Sequence, residues 1–144
     1  MKTVLNWMIA IICLFSSVLV HAGLEEGLEA YDKNDYVTAM RELKPFAIQG
    51  NARAQHKVGL MYHFGEGTPK DTKEGIKWLR LSADQGEAIA QHFMGVIYKR
   101  GIGLPQSNKE AIKWFKRAAE QGFAAAQNFL GHELHGSQDY EEAL

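Results

Sequence analysis

A block of 36 residues governs what this chain can fold into: residues 51–86 recur almost position for position as residues 87–122, and the block begins again at Phe123. Ala54, Gln55 and Gly59 return as Ala90, Gln91 and Gly95, then as Ala126, Gln127 and Gly131. Gly65, Gly67 and Pro69 return as Gly101, Gly103 and Pro105, and Glu74, Ile76, Trp78, Ala83, Gln85 and Gly86 as Glu110, Ile112, Trp114, Ala119, Gln121 and Gly122. Repeats of this length mark solenoids, in which each unit is one supersecondary element that buries its apolar face only by stacking on its neighbours. The expected fold is all-α, an α-solenoid of antiparallel helix pairs.

Each full unit reads as two helices. The first spans about 51–64, then 87–100; the second spans about 72–85, then 108–121. Ser107 with Glu110 has the spacing of a capping box, and Asp71 with Glu74 is its close analogue. Gly50, Gly86 and Gly122 end the second helices in the left-handed conformation that glycine adopts cheaply. Trp78 and Trp114 form apolar faces with Ile76, Leu79, Ile112 and Phe115. Gly59, Gly95 and Gly131 fall inside helices, where glycine costs about 1 kcal/mol relative to alanine, so close approach of the paired helix is expected there. The Gly-x-Gly loops follow helices, which favours turns stiffened by Pro69 and Pro105 over a phosphate cradle.

These residues carry a family resemblance. Ala-x-Ala-Gln before Gly59, the Gly65-x-Gly67 loop, Trp78, Ala83 and Gln85-Gly86 resemble the SEL-one-like repeat, a relative of the tetratricopeptide repeat. The resemblance covers residues 51–86 and 87–122 as full units and 123–144 as a partial one. Residues 23–50 read as a shorter, tetratricopeptide-like hairpin. In it Lys33-Asn34-Asp35 makes the turn, residues 36–48 form the second helix, and Pro45 stands inside that helix as a kink or a new start. In the last unit Asp139-Tyr140 resembles Asp35-Tyr36, and residues 140–144 reach barely one turn into a final helix.

Residues 1–22 read as a secretory signal peptide: Lys2 precedes an apolar run from Val4 to Val20, and Val20-His21-Ala22 supplies small residues for cleavage. An uncleaved anchor fits less well, because the run falls short of the ~20 residues of a spanning helix and Glu25-Glu26 follow it. A lipoprotein fits worst, with bulky Ile12 before Cys13. Cleavage removes the single cysteine, so the mature chain relies on helix packing without disulfides and departs from the cysteine-stapled branch of the family. The expected location is the periplasm or the medium of a bacterial cell, with no membrane span after cleavage.

A formal charge of −1 gives no reason to expect nucleic acid or an anionic membrane as partner. No cofactor, metal or catalysis is expected. No mature cysteine nucleophile or Gly-x-Ser-x-Gly elbow exists, Ser82 falls where the next unit has Ala118, and Glu74 and Glu110 are explained as caps. His132-Glu133-Leu134-His135 is one residue short of the metalloprotease spacing. For the first helices, which line the inner face of related solenoids, alignment on the internal glycines proposes a groove. It consists of His56, Leu60, His63 and Phe64, then His92, Val96, Lys99 and Arg100, then Asn128, His132 and His135. Phe64 and Leu60 are its apolar anchors; Lys99 and Arg100 would hold carboxylates. For His56 and His92 the plainer reading is a flat ring packed between helices. The resemblance implies an exported adaptor that binds a protein or peptide partner. The alternatives are a structural homo-oligomer stacked through its repeat ends, the C-terminal one above all, and a secreted host-directed factor.

Overall fold

A computed structural model describes residues 23–136, with side chains through residue 133. The leader expected at residues 1–22, the turn expected at 139–140 and the side chain of His135 lie outside the described residues. Helix α1 covers residues 23–32 and is followed by α2 (Tyr36–Ile48), α3 (Ala52–Phe64), α4 (Thr72–Asp84), α5 (Ala88–Arg100), α6 (Asn108–Glu120) and α7 (Ala124–Gly136). The described residues contain no strand, and none of their helices is long and apolar enough to cross a membrane. Each helix from α2 to α7 packs against the next in chain order, which is a stack of hairpins.

The boundaries follow from local chemistry. Asp35, Asn51, Asp71 and Ser107 each accept a hydrogen bond from the backbone N–H three residues on, capping α2, α3, α4 and α6. The capping boxes are only half made. The Asp71 and Ser107 N–H groups donate to the carbonyls of Tyr62 and Tyr98 in the preceding helix, while Glu74 and Glu110 turn outward to Lys77 and Lys113 at 2.9 and 2.6 Å. The second helices end on a glycine with φ between +82° and +97°. At the first two of these ends the N–H of Gly50 or Gly86 and of the next residue reach back to Ala47 and Phe46, or to Ala83 and Ser82. Pro45 does not break α2, which continues through it to Ile48 with the ring exposed, but it has no N–H to give the Arg41 carbonyl one turn earlier.

Close approach explains the internal glycines. A Cβ on Gly59 would stand 2.8 Å from Leu79 Cγ, and one on Gly95 2.7 Å from Phe115. The second loop glycine is constrained in a similar way, since a Cβ on Gly67 would collide with the Tyr36 carbonyl, and Gly103 lies against Ile76 and Thr72. Each loop is thereby seated on the second helix of the hairpin before it. Trp78 packs into the first hydrophobic cluster, with Leu43, Ala47 and Val58, and Trp114 into the second, with Leu79, Ala83 and Met94. Each tryptophan thus keys its hairpin onto the preceding one. In the first hairpin the same position carries Glu42.

A glutamine ladder runs through the stack. Gln55, Gln91 and Gln127 donate to the carbonyls of Ala47, Ala83 and Ala119 in the preceding hairpin, at 3.0, 3.1 and 3.1 Å. Gln85 and Gln121 donate in turn to Gln55 and Gln91 at 2.6 and 2.8 Å. Gln55 and Gln91 are buried, and a buried partner left unsatisfied costs about 1–3 kcal/mol. Gln91→Leu should therefore lower stability by about 1–2 kcal/mol, read from the urea midpoint, whereas Gln127→Leu, at an exposed position, should change it by less than about 0.5 kcal/mol. Equal losses at both sites would show that the ladder does not hold the core.

Candidate partner-binding face

The first helices of the hairpins, α1, α3, α5 and α7, present a common set of side chains. On α3 Arg53, Lys57, Leu60 and Phe64 follow at spacings of four, three and four, so they share one stripe; Ile89, Phe93, Val96 and Arg100 do the same on α5. Phe64 is 53% exposed and Ile89 38% exposed, and Arg100 is exposed. Leu60 is buried and belongs to a cluster against which Tyr31 and Phe93 pack, so the stripe has an apolar floor from α1 to α5.

Charges bind the edges of this face together. Arg53 approaches Glu25 and Lys57 approaches Asp32, both at 3.6 Å, joining α3 to α1. The Lys57 ammonium lies 4.0 Å from the centroid of the Tyr31 ring. Burial, with Glu66 nearby, pushes the Tyr31 hydroxyl up to about 12, so it stays a neutral donor. On the other side Lys99 bonds Glu133 at 2.8 Å, joining α5 to α7, and lies over the Phe129 ring. Because these pairs are mostly solvated, each contributes little to stability; what they fix is the orientation of long side chains along the stripe.

The groove read from the sequence is corrected in part. Phe64, Arg100, Asn128 and His132 are exposed, and Val96 is half-buried. Leu60 is floor, not a free anchor. Lys99 is occupied by Glu133. His56 is 5% exposed and lies 5.9 Å from the Phe93 ring, while the half-buried His92 sits between Phe115 and Phe123 at 5.3 and 5.2 Å. His56 Nε2, His63 Nδ1 and His92 Nδ1 are buried without a hydrogen-bond partner among the described residues. Burial lowers the pKa of all three, taking His56 to about 4, so these rings are neutral packing elements. The physical reason is azimuth. Positions 56, 63, 92 and 99 turn from the open stripe toward neighbouring helices. The sequence reading missed Arg53, Lys57, Ile89, Phe93 and Tyr31. The spacing from Leu60 to Phe64 and back to Lys57 and Arg53 carried the signal for the first two. Among the described residues no group of three or more His, Cys, Asp or Glu side chains comes together to hold a metal.

The model of the Sel1 repeat matches residues 52–87, 88–123 and 124–144. The chain belongs to the Sel1 repeat family. Its structure is similar to that of a protective antigen present in uropathogenic Escherichia coli strains, which displays an SLR fold. That match has a TM-score of 0.75 and 33% identity over 84% of this chain and 27% of that one. It is also similar to a Sel1 repeat protein from Oxalobacter formigenes, with a TM-score of 0.77 and 34% identity over 84% of this chain and 50% of that one. The chain thus spans about a quarter and half of these structures. No curated protein matches it. Sel1 repeats generally serve as protein-interaction scaffolds without catalysis.

Proposed function

We propose that this Sel1 repeat chain is an exported, non-enzymatic adaptor that binds an extended peptide or a partner helix along the α3 and α5 stripe. The observation that carries this reading is the pairing of exposed apolar side chains, Phe64 and Ile89, with exposed Arg100 over the Leu60 and Phe93 floor. Arg100 has no ion pair among the described residues. Apolar anchors along a stripe that ends in such a cation suit a segment that combines aliphatic or aromatic side chains with a carboxylate. The leader at residues 1–22 supports a periplasmic or extracellular setting for that partner.

Phe64, 53% exposed on the stripe, is the best probe position. A photocrosslinking residue at Phe64, with Lys113 on the exposed face of α6 as control, is expected to give a discrete adduct in living cells from the first position alone, identified by mass spectrometry. Adducts of equal pattern from both positions, or none from Phe64, would remove the stripe as the binding face; self-adducts from Phe64 would replace the adaptor with an assembly.

A further inference from the structure

The outward surface of α2 differs from that of every other second helix. Val37, Pro45 and Ile48 correspond by the 36-residue register to Lys73, Leu81 and Asp84 on α4 and to Lys109, Arg117 and Glu120 on α6. The later hairpins carry five charged residues and one leucine where α2 is apolar at all three positions, and Val37 and Ile48 are 69% and 67% exposed. Beside them lies a notch of about 590 Å³ whose lining includes Met40, Arg41, Lys44, Pro45, Ile48 and Tyr62. Its chemistry is directional. Lys44 bonds the Tyr62 hydroxyl at 2.9 Å and has no carboxylate partner among the described residues. The Arg41 carbonyl has lost its helical donor to Pro45. Arg41 is already bonded to Glu42 at 2.7 Å, so an apolar floor beside the Lys44 ammonium calls for a segment that joins a carboxylate to apolar side chains.

The chain contains such a segment. Asp139-Tyr140-Glu141-Glu142-Ala143-Leu144 carries three carboxylates, three apolar side chains and no base. We infer that the α2 notch receives residues 139–144 of a second copy of this chain, pairing a carboxylate with Lys44 and seating Tyr140 or Leu144 against Pro45 and Ile48. Reach favours a second copy over the same one. Eight residues after Gly136 can reach at most about 26–29 Å. The notch lies on α2, and α3, α4, α5 and α6 stand between it and α7 in the stack. With neighbouring helices about 8–10 Å apart, that separation uses most of the reach. The inference is independent of the α3 and α5 stripe.

Sedimentation of the full chain over a range of concentrations tests it, together with binding of a fluorescent peptide of residues 137–144. Ile48→Asp copies the residue of the next hairpin at an exposed position, so its melting temperature should match the parent's. The parent should self-associate. Ile48→Asp, and separately deletion of residues 137–144, should each weaken that association at least tenfold, and mixing the two variants should restore one contact per pair. The peptide should bind the deletion variant and, at least tenfold more weakly, the variant carrying both changes. A parent that stays monomeric while the peptide binds only after deletion would assign the segment to its own copy and overturn the second-copy inference. Absence of peptide binding to the deletion variant, or self-association unchanged by Ile48→Asp, would overturn the notch itself.

Discussion

Gly75→Ala is expected to destabilise the chain by about 2 kcal/mol, while Gly131→Ala, the register equivalent of its contact partner Gly59, should stabilise it by up to about 1 kcal/mol. In most helices the exchange favours alanine, since glycine carries more backbone freedom into the unfolded state. At Gly75 packing reverses that sign. A Cβ there would stand 2.7 Å from the Gly59 carbonyl oxygen, 2.9 Å from the His63 nitrogen and 3.1 Å from its Cα. All three are backbone atoms, which no rotamer change can move aside. A Cβ on Gly59 meets the Gly75 oxygen and the Leu79 nitrogen at 3.0 Å, so the two glycines hold α3 and α4 in mutual contact. The next hairpin has Ala111 where this one has Gly75, which makes the double glycine a property of this helix pair. At Gly131 the described residues leave open space within 4 Å, and only the propensity gain remains. Urea midpoints of the two variants decide the matter: a Gly75→Ala protein as stable as the parent would mean that α3 and α4 part without cost.

Acid should weaken the stack between about pH 6.5 and pH 4. His56 has an ordinary value of 6.5 that burial, aided slightly by Lys57, lowers to about 4. The ring is shielded by Phe93, its Nε2 has no hydrogen-bond partner among the described residues, and no acid among them pairs with it. The unfolded chain therefore binds the proton more tightly than the folded one throughout that interval. Stability is whole above pH 6.5 and falls as the pH descends, by about 3 kcal/mol at pH 4 relative to a group with no shift. Replacing His56 with phenylalanine removes this titration. The difference in stability between pH 7 and pH 4.5 should shrink by about 2 kcal/mol, and what persists would belong to other groups, including His63 and His92, whose shifts run in the same direction. An unchanged difference would place the acid sensitivity elsewhere.

The sequence disclosed the helices and their ends because those depend on neighbours in the chain. Asp71 and Ser107 act on an N–H three residues away, and Gly86 on carbonyls of the helix it closes. It disclosed less about the binding face, which depends on azimuth. Gly59 marks the side of α3 that meets α4, but the side left open is set by what the adjoining helices send across. Phe93 reaches back to His56, and Glu133 reaches back to Lys99. The same holds for Gln55, whose recurrence was plain while its acceptor was not, because Ala47 lies in another hairpin.

The glutamine ladder also bears on how such a chain can grow. Gln91 takes its acceptor from Ala83 and its donor from Gln121, and Gln55 takes the equivalents one unit earlier. A duplicate of residues 51–86 inserted after Gly86 would bring both halves of that exchange with it. Its first glutamine would find the existing Ala83, and its own alanine would be waiting for Gln91. Lengthening by whole units leaves no amide stranded.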